Sequence, residues 1–230
     1  RSQRPGAGSA AMAALLGLAL FAAAACAADF QRTFTFQASE ITVSNFIGAV
    51  RVEPGSGSEV RVVVDVRGKD AEPQRIEFQD QQGSHAKLTI RFPLKESHRY
   101  VYPEMRGGRT SISLDEGRGD RDWFSQLIAS AVGDRIEVRG RPWRDALELW
   151  ADVVVQVPAS RRAIVQLGVG SIEAHDVQAD LHLRVRSGPV RAEGIEGELD
   201  IDTGSGSVAV QRVRGDLHVD TGSGEVDVGD

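Results

Sequence analysis

The sequence predicts an all-β fold, a β-solenoid (β-helix-like) built from repeats of about 18 residues, and three observations predict it. The first is the repeat itself. Residues 181–198, 199–216 and 217–230 align beneath one another, with Leu181, Leu199 and Leu217 in one column and Leu183, Ile201 and Val219 in the next. Ser187-Gly188, Ser205-Gly206 and Ser223-Gly224 form a third column, and Val190, Val208 and Val226 a fourth. A short fixed period means that each unit buries its apolar face only against its neighbours.

The second observation is that the period reaches backward in degraded form. Ala163, Val165, Leu167, Gly170, Ile172, Ala174 and Val177 stand one repeat before Leu181, Leu183, Val185, Gly188, Val190, Ala192 and Ile195. Further upstream, Ile41, Val43, Gly48, Val50 and Val52 reproduce Leu181, Leu183, Gly188, Val190 and Ala192 at an offset of 140. The third is composition: the 230 residues are 41% hydrophobic but only 6% aromatic, with 25 glycines. That balance suits stacked short strands and tight turns better than a helical bundle.

Residues 1–28 read as a signal peptide. Arg1 and Arg4 supply a positive start, and residues 10–25 are small and apolar around Leu15, Leu16, Leu18, Leu20 and Phe21. At about 16 residues this run is shorter than the roughly 20 that a membrane-spanning helix needs. Cys26 is the only cysteine, which excludes an internal disulfide. It follows Ala23-Ala24-Ala25, a lipobox-like setting in which the thiol would be acylated; cleavage after Ala27 or Ala28 would instead discard it.

The mature part, residues 29–230, is read as one solenoid domain whose repeats are clearest over 163–230. Period-2 alternation or continuous valine runs predict strands over 32–36, 60–66, 75–78, 86–92 and 147–157. Residues 105–143 break the pattern and read as an insertion, with a short amphipathic helix over 122–132 placing Trp123, Phe124, Leu127 and Ile128 on its apolar side. Within one repeat, Leu199, Ile201 and Thr203 face inward, residues 204–206 turn, Val208 and Val210 face inward again, and residues 214–216 return the chain. About six inward side chains per rung are expected, with rungs stacked at about 4.8 Å. Asp230 falls inside a rung, so further rungs or a cap are expected beyond it.

Formal net charge is -6; without Arg1 and Arg4 it is 25 basic against 33 acidic residues, or -8. That sign argues against nucleic acid, which requires a basic stripe, and against electrostatic docking onto anionic lipid. The chain carries no Walker loop, no dinucleotide-binding glycine fingerprint and no Cys-x-x-Cys.

Asp202-Thr203-Gly204-Ser205 and Asp220-Thr221-Gly222-Ser223 mimic the loops of aspartic proteases. Two such loops must meet so that their carboxylates share a proton. Here they are a single repeat apart on adjacent rungs with both Asp side chains outward, and Arg184 in the preceding rung is the expected partner of Asp202. His182, Asp200 and His218 share another outward column at about 5 Å per step, residue types that could hold a divalent metal or form a solvated charge ladder. Arg118-Gly119-Asp120 is an integrin-type tripeptide, too short to carry an assignment. His85, His98 and His175 show no Ser, Cys or carboxylate partner at a recognisable spacing. The 98–102 stretch, His-Arg-Tyr-Val-Tyr, is one basic and aromatic cluster in an acidic chain and does not by itself define a groove.

Other motifs carry a family resemblance. Phe34-Thr35-Phe36 leads into the 41–52 rung, Val155-Gln156-Val157-Pro158 ends a strand, and residues 199–210 and 217–228 repeat the form Leu-x-Ile/Val-x-Thr-x-Ser-Gly-x-Val-x-Val. The chain resembles the bacterial DUF4097-type β-strand-repeat family, which carries an adhesin label, over about residues 30–230 apart from the 105–143 insertion. The resemblance implies an envelope-located β-solenoid and transfers no catalytic residues.

The combined expectation is a non-enzymatic, exported protein of the periplasm, outer membrane or cell surface, adhesin-like or scaffolding, with no cofactor. Its expected partner is an envelope protein or glycan, with membrane attachment only through Cys26. Two other readings stand beside it: an accessory that binds a membrane signalling partner, and a carbohydrate-active enzyme using Asp202 and Asp220.

Overall fold

The computed structural model describes residues 29–113, 123–133 and 135–229. The leader over 1–28, Cys26 and the Arg118-Gly119-Asp120 tripeptide lie outside the described residues. Among the described residues, seventeen strands follow in chain order. They are β1 (Phe30–Phe36), β2 (Glu40–Pro54), β3 (Val60–Arg67), β4 (Glu77–Gln81), β5 (His85–Arg91), β6 (Arg99–Val101), β7 (Arg109–Ser113), β8 (Arg135–Arg139) and β9 (Leu147–Glu148). After these come β10 (Trp150–Val157), β11 (Arg162–His175), β12 (Asp180–Ser187), β13 (Val190–Glu196), β14 (Leu199–Ser205), β15 (Val208–Arg214), β16 (Leu217–Ser223) and β17 (Val226–Gly229). A short helix, α1 (Trp123–Leu127), stands between β7 and β8.

The β-solenoid is formed as the period predicts. On one face β2, β11, β12, β14 and β16 stack in parallel; on the other β2, β11, β13, β15 and β17 do the same. Leu181 pairs with Leu199 and Leu199 with Leu217, a one-repeat register held through Ser187, Ser205 and Ser223. The degraded copies fall in the same ladder, since Ala163 lies between Ile41 and Leu181, and Gly170 pairs with Gly48. Leu181, Leu183, Val185, Val190, Ala192 and Ile195 are all buried, which gives one rung its six inward side chains.

The corner between the two faces is a column of glycines. Gly48, Gly170, Gly188, Gly206 and Gly224 have φ from 141° to 151°, a conformation that L side chains rarely adopt. β2 and β11 pass through this corner as unbroken strands, whereas the three later rungs split there into two strands each.

At the N-terminal end both faces are extended by a parallel strand and then by antiparallel ones. β10 joins β2 in parallel, then β3 and β1 add antiparallel to one face; β5 and β4 extend the other. The two outermost strands meet through Phe78, whose ring lies 5.4 Å from Phe34 and 6.5 Å edge-on from Phe30. An aromatic wedge therefore closes that end of the core, where an open stack would leave apolar side chains in water.

The insertion is larger and more β-rich than its sequence suggests. A separate four-stranded sheet, in the order β7-β8-β6-β9, takes two of its strands from Arg99–Val101 and Leu147–Glu148, so the 105–143 boundaries are too narrow on both sides. The predicted 147–157 strand is accordingly two strands in two sheets, and the 75–78 strand begins two residues later, at Glu77. Helix α1 is five residues rather than eleven. Its continuation tightens into an Ala131 N–H to Ile128 carbonyl bond of 2.8 Å and then reaches Gly133 at φ 107°, which stops it. The apolar side is as expected: Phe124, Leu127 and Ile128 are buried and Trp123 is half-buried.

The insertion is fastened to the outside of the first solenoid corner. Phe46 sits at an outward position of β2 and packs with Phe92 and Tyr100 at ring distances of 5.7 and 6.0 Å. Opposite it on β11 stands Gly168, where an added Cβ would lie 2.8 Å from the Phe46 ring. A hydroxyl contact of 2.8 Å between Thr110 and Ser187 ties β7 to the next corner. Replacement of Leu199 by Ala, at a fully buried column position, is expected to cost about 2–5 kcal/mol in urea denaturation, against less than about 0.5 kcal/mol for the exposed Val226→Ala.

Candidate interaction surface

Inward alternation on each rung leaves an outward row, and stacking turns these rows into columns. The column Thr42, Ile164, His182, Asp200 and His218 and the column Ser44, Gln166, Arg184, Asp202 and Asp220 run along the first face. On the second face Arg51, Glu173 and Arg191 share a column, as do His175, Glu193 and Gln211. Charges of opposite sign meet along them. Arg214 bonds Glu196 one rung away at 2.8 Å, Arg212 approaches Glu193 to 2.7 Å, and Arg162 reaches Glu198 at 3.8 Å. These exposed pairs contribute little stability each, but they fix an ordered pattern of charge on a rigid surface.

The structure places His182, Asp200 and His218 in one column, as their spacing requires. His182 Nε2 lies 3.1 Å from Asp200 Oδ2, and the same nitrogen accepts a 2.8 Å hydrogen bond from Arg184 Nε. Burial, followed by the Arg184 charge, lowers the His182 pKa from its ordinary 6.5, while Asp200 opposes the shift less strongly. The ring is thus neutral near pH 7, with its proton on Nδ1 by inference from the Arg184 bond. A guanidinium already occupies the lone pair that a metal would use. Among the described residues no three His, Cys, Asp or Glu side chains converge on a metal position.

Asp202 and Asp220 are in register on adjacent rungs and both exposed. They stand side by side on an open face rather than across a cleft. Arg184 is in register with Asp202 as expected, though its Nε is directed at His182. His175 corrects the sequence reading, because it does have carboxylate partners: Glu173 and Glu193 each lie 3.9 Å from its ring. Glu193 stands a full repeat beyond His175, so the period itself was the signal that would have found it.

A second polar cluster lies on the extended face near the N-terminal end. Asp152 accepts a 2.9 Å bond from the Ala49 N–H and sits 3.6 Å from Arg67, in register with Asp65. Burial raises its pKa above the usual carboxylate value, opposed by the Ala49 bond and by Arg67. Asp65, Arg67, Asp152, Arg51 and Glu173 line a shallow groove of about 250 Å³.

The insertion sheet carries a third surface. Its inner side, with Tyr100, Ile112, Ile136 and Val138, is buried. Its outer side aligns Arg109 opposite Arg139, Ser111 opposite Glu137, Ser113 opposite Arg135, and Arg99 beside Glu137. The Trp143 indole takes the Arg139 guanidinium at 3.8 Å and that of Arg99 at 5.1 Å. Arg139 also bonds Glu137 at 3.0 Å. Of the basic and aromatic 98–102 stretch, Tyr100, Val101 and Tyr102 are core residues, and Arg99 remains at the surface.

The fold and these surfaces define a β-solenoid of parallel rungs carrying ordered charge columns. The family model for the Toastrack DUF4097 domain matches residues 38–230, and the chain belongs to that family. No curated protein matches it. A solved structure from Clostridium sporogenes ATCC 15579, described as a "putative cell adhesion protein", is similar at 8% identity, covering 87% of this chain and 99% of its own, with a TM-score of 0.47.

The shift at His182 predicts a pH dependence. With the folded pKa below 6.5, unfolding takes up a proton as pH falls through that value, so this group's contribution to stability is present above pH 6.5 and declines below it. Denaturation midpoints from pH 7.5 to 5 should fall less steeply for His182→Gln than for the native chain.

Proposed function

We propose that the chain is an exported cell-envelope protein that works by binding, as an adhesin-like or scaffolding solenoid, and not by catalysis. The observation that carries this reading is the set of outward columns held in register by stacked rungs. Such columns present a repeating pattern of charge over an extended, stiff surface, which suits the recognition of an extended partner. Asp202 and Asp220, the paired carboxylates considered for glycosidic chemistry, lie on that open surface, where solvent screens their interaction. The partner is an envelope protein or glycan.

Export rests on the apolar run of residues 10–25 behind Arg1 and Arg4. Cys26 is the residue proposed to carry a lipid anchor. Expressed with its leader in a Gram-negative host, the protein should appear in the periplasmic or outer-membrane fraction. Cys26→Ser should abolish incorporation of labelled fatty acid and shift the protein from membrane to soluble fractions. Recovery of the native chain in the cytosol would overturn the reading.

A further inference from the structure

We propose that the outer face of the β7-β8-β6-β9 sheet binds an acidic, carboxylate-bearing polysaccharide. The inference deepens the interaction reading above by naming a ligand class, and it rests on that reading. Its first ground is charge. The whole chain is net -6, yet Arg99, Arg109, Arg135 and Arg139 gather on one side of three adjoining strands. The acids on that side are committed: Glu137 bonds Arg139 at 3.0 Å, and Glu148 at the far edge faces Lys69 at 3.9 Å. Arg109 and Arg135 are exposed, and no acid among the described residues pairs with either.

The second ground is geometry. Arg109 and Arg139 are cross-strand partners at one end of the β7-β8 pair. Arg135, four residues back along β8, stands at the other end, roughly 13 Å away at strand rise. Between these two positive poles lies the hydroxyl of Ser111, in a groove of about 320 Å³ that Glu137, bonded to Arg139, also lines. A single small anion reaches one pole. A polymer with repeating carboxylates reaches both, and its sugar hydroxyls meet Ser111 between them.

The third ground is preorganisation. Guanidinium groups recognise carboxylates through two parallel N–H bonds, and the entropy lost in fixing a long side chain opposes binding. Stacking on Trp143 already fixes Arg99 and Arg139 before any ligand arrives. An anionic bilayer is the poorer occupant, since the acidic remainder of the chain would be repelled from it.

The test uses the purified full chain in calorimetric titrations with polygalacturonate, with neutral dextran, and with phosphatidylglycerol–phosphatidylcholine vesicles. Polygalacturonate should bind, with affinity falling as salt rises, and dextran should not. The Arg109→Ser/Arg135→Ser variant should bind about tenfold or more weakly through loss of two charge-assisted contacts, at an unchanged melting temperature. Absence of polygalacturonate binding by the native chain would overturn the proposal, as would equal binding by the double variant. Capture by vesicles in preference to polygalacturonate would overturn it in favour of a membrane surface. Because the measurement is made on purified protein, a negative result leaves the location found by fractionation standing.

Discussion

The structure depends on how closely successive rungs approach at one corner. A Cβ built on Gly170 would lie 1.7 Å from the carbonyl oxygen of Gly48, and one on Gly188 would lie 1.7 Å from that of Gly170. On Gly206 and Gly224 the corresponding distance to the glycine of the preceding rung is 2.0 Å. No side chain fits there. The backbone amide does fit: Gly188 N–H donates to the Ser205 carbonyl at 2.8 Å and Gly206 N–H to that of Ser223 at 3.0 Å. The corner is thus a place where two sheets turn into one another without interrupting the ladder between rungs. Positive φ alone does not account for it; the constraint is φ together with the backbone lying directly in the path of a side chain.

From that corner the rest follows in order. Fixing the turn at the same point in every rung sets the register, and register places aliphatic side chains in continuous inward columns. The same register delivers the outward columns, so the charge pattern of the surface is a by-product of how the core is built. It also leaves the first corner with Phe46 pointing outward and Gly168 making room beside it. The insertion closes over this spot through Phe92 and Tyr100, which is why its arginine-bearing face is held at a defined angle on the solenoid flank and not on a free loop.

How much of this could be read from the residues varies with the physics involved. The repeating ladder was legible because inward aliphatics and corner glycines recur at fixed spacing, and even the offset of 140 between β2 and β12 was visible. The insertion sheet was not, since its strands run two to five residues and β6, β8 and β9 pair across long stretches of chain. Alternation over so few residues carries no signal. Leu147-Glu148 and 150–157 read as one strand because Leu149 and Trp150 continue the apolar pattern across the point where the chain changes sheets. For the candidate surfaces, the His182–Asp200–His218 column was legible, but the Arg184 bond to His182 was not, because it lies within one strand between residues two apart. The Arg99–Trp143–Arg139 stack joins residues distant in sequence and had no local signature.

Close backbone approach, beyond backbone conformation, therefore dictates the glycine corner. Gly83 offers the comparison, with φ at 139° against 141° at Gly188 and nothing within 4 Å of the point where a methyl group would stand. Denaturant unfolding of Gly83→Ala and Gly188→Ala under identical conditions separates the two effects. Gly83→Ala should lose about 1–3 kcal/mol, the cost of an L residue in a backbone region kept to glycine, and Gly188→Ala should lose several kcal/mol more. Equal losses at the two positions would show that conformation alone sets the corner, and would contradict the role assigned to backbone approach.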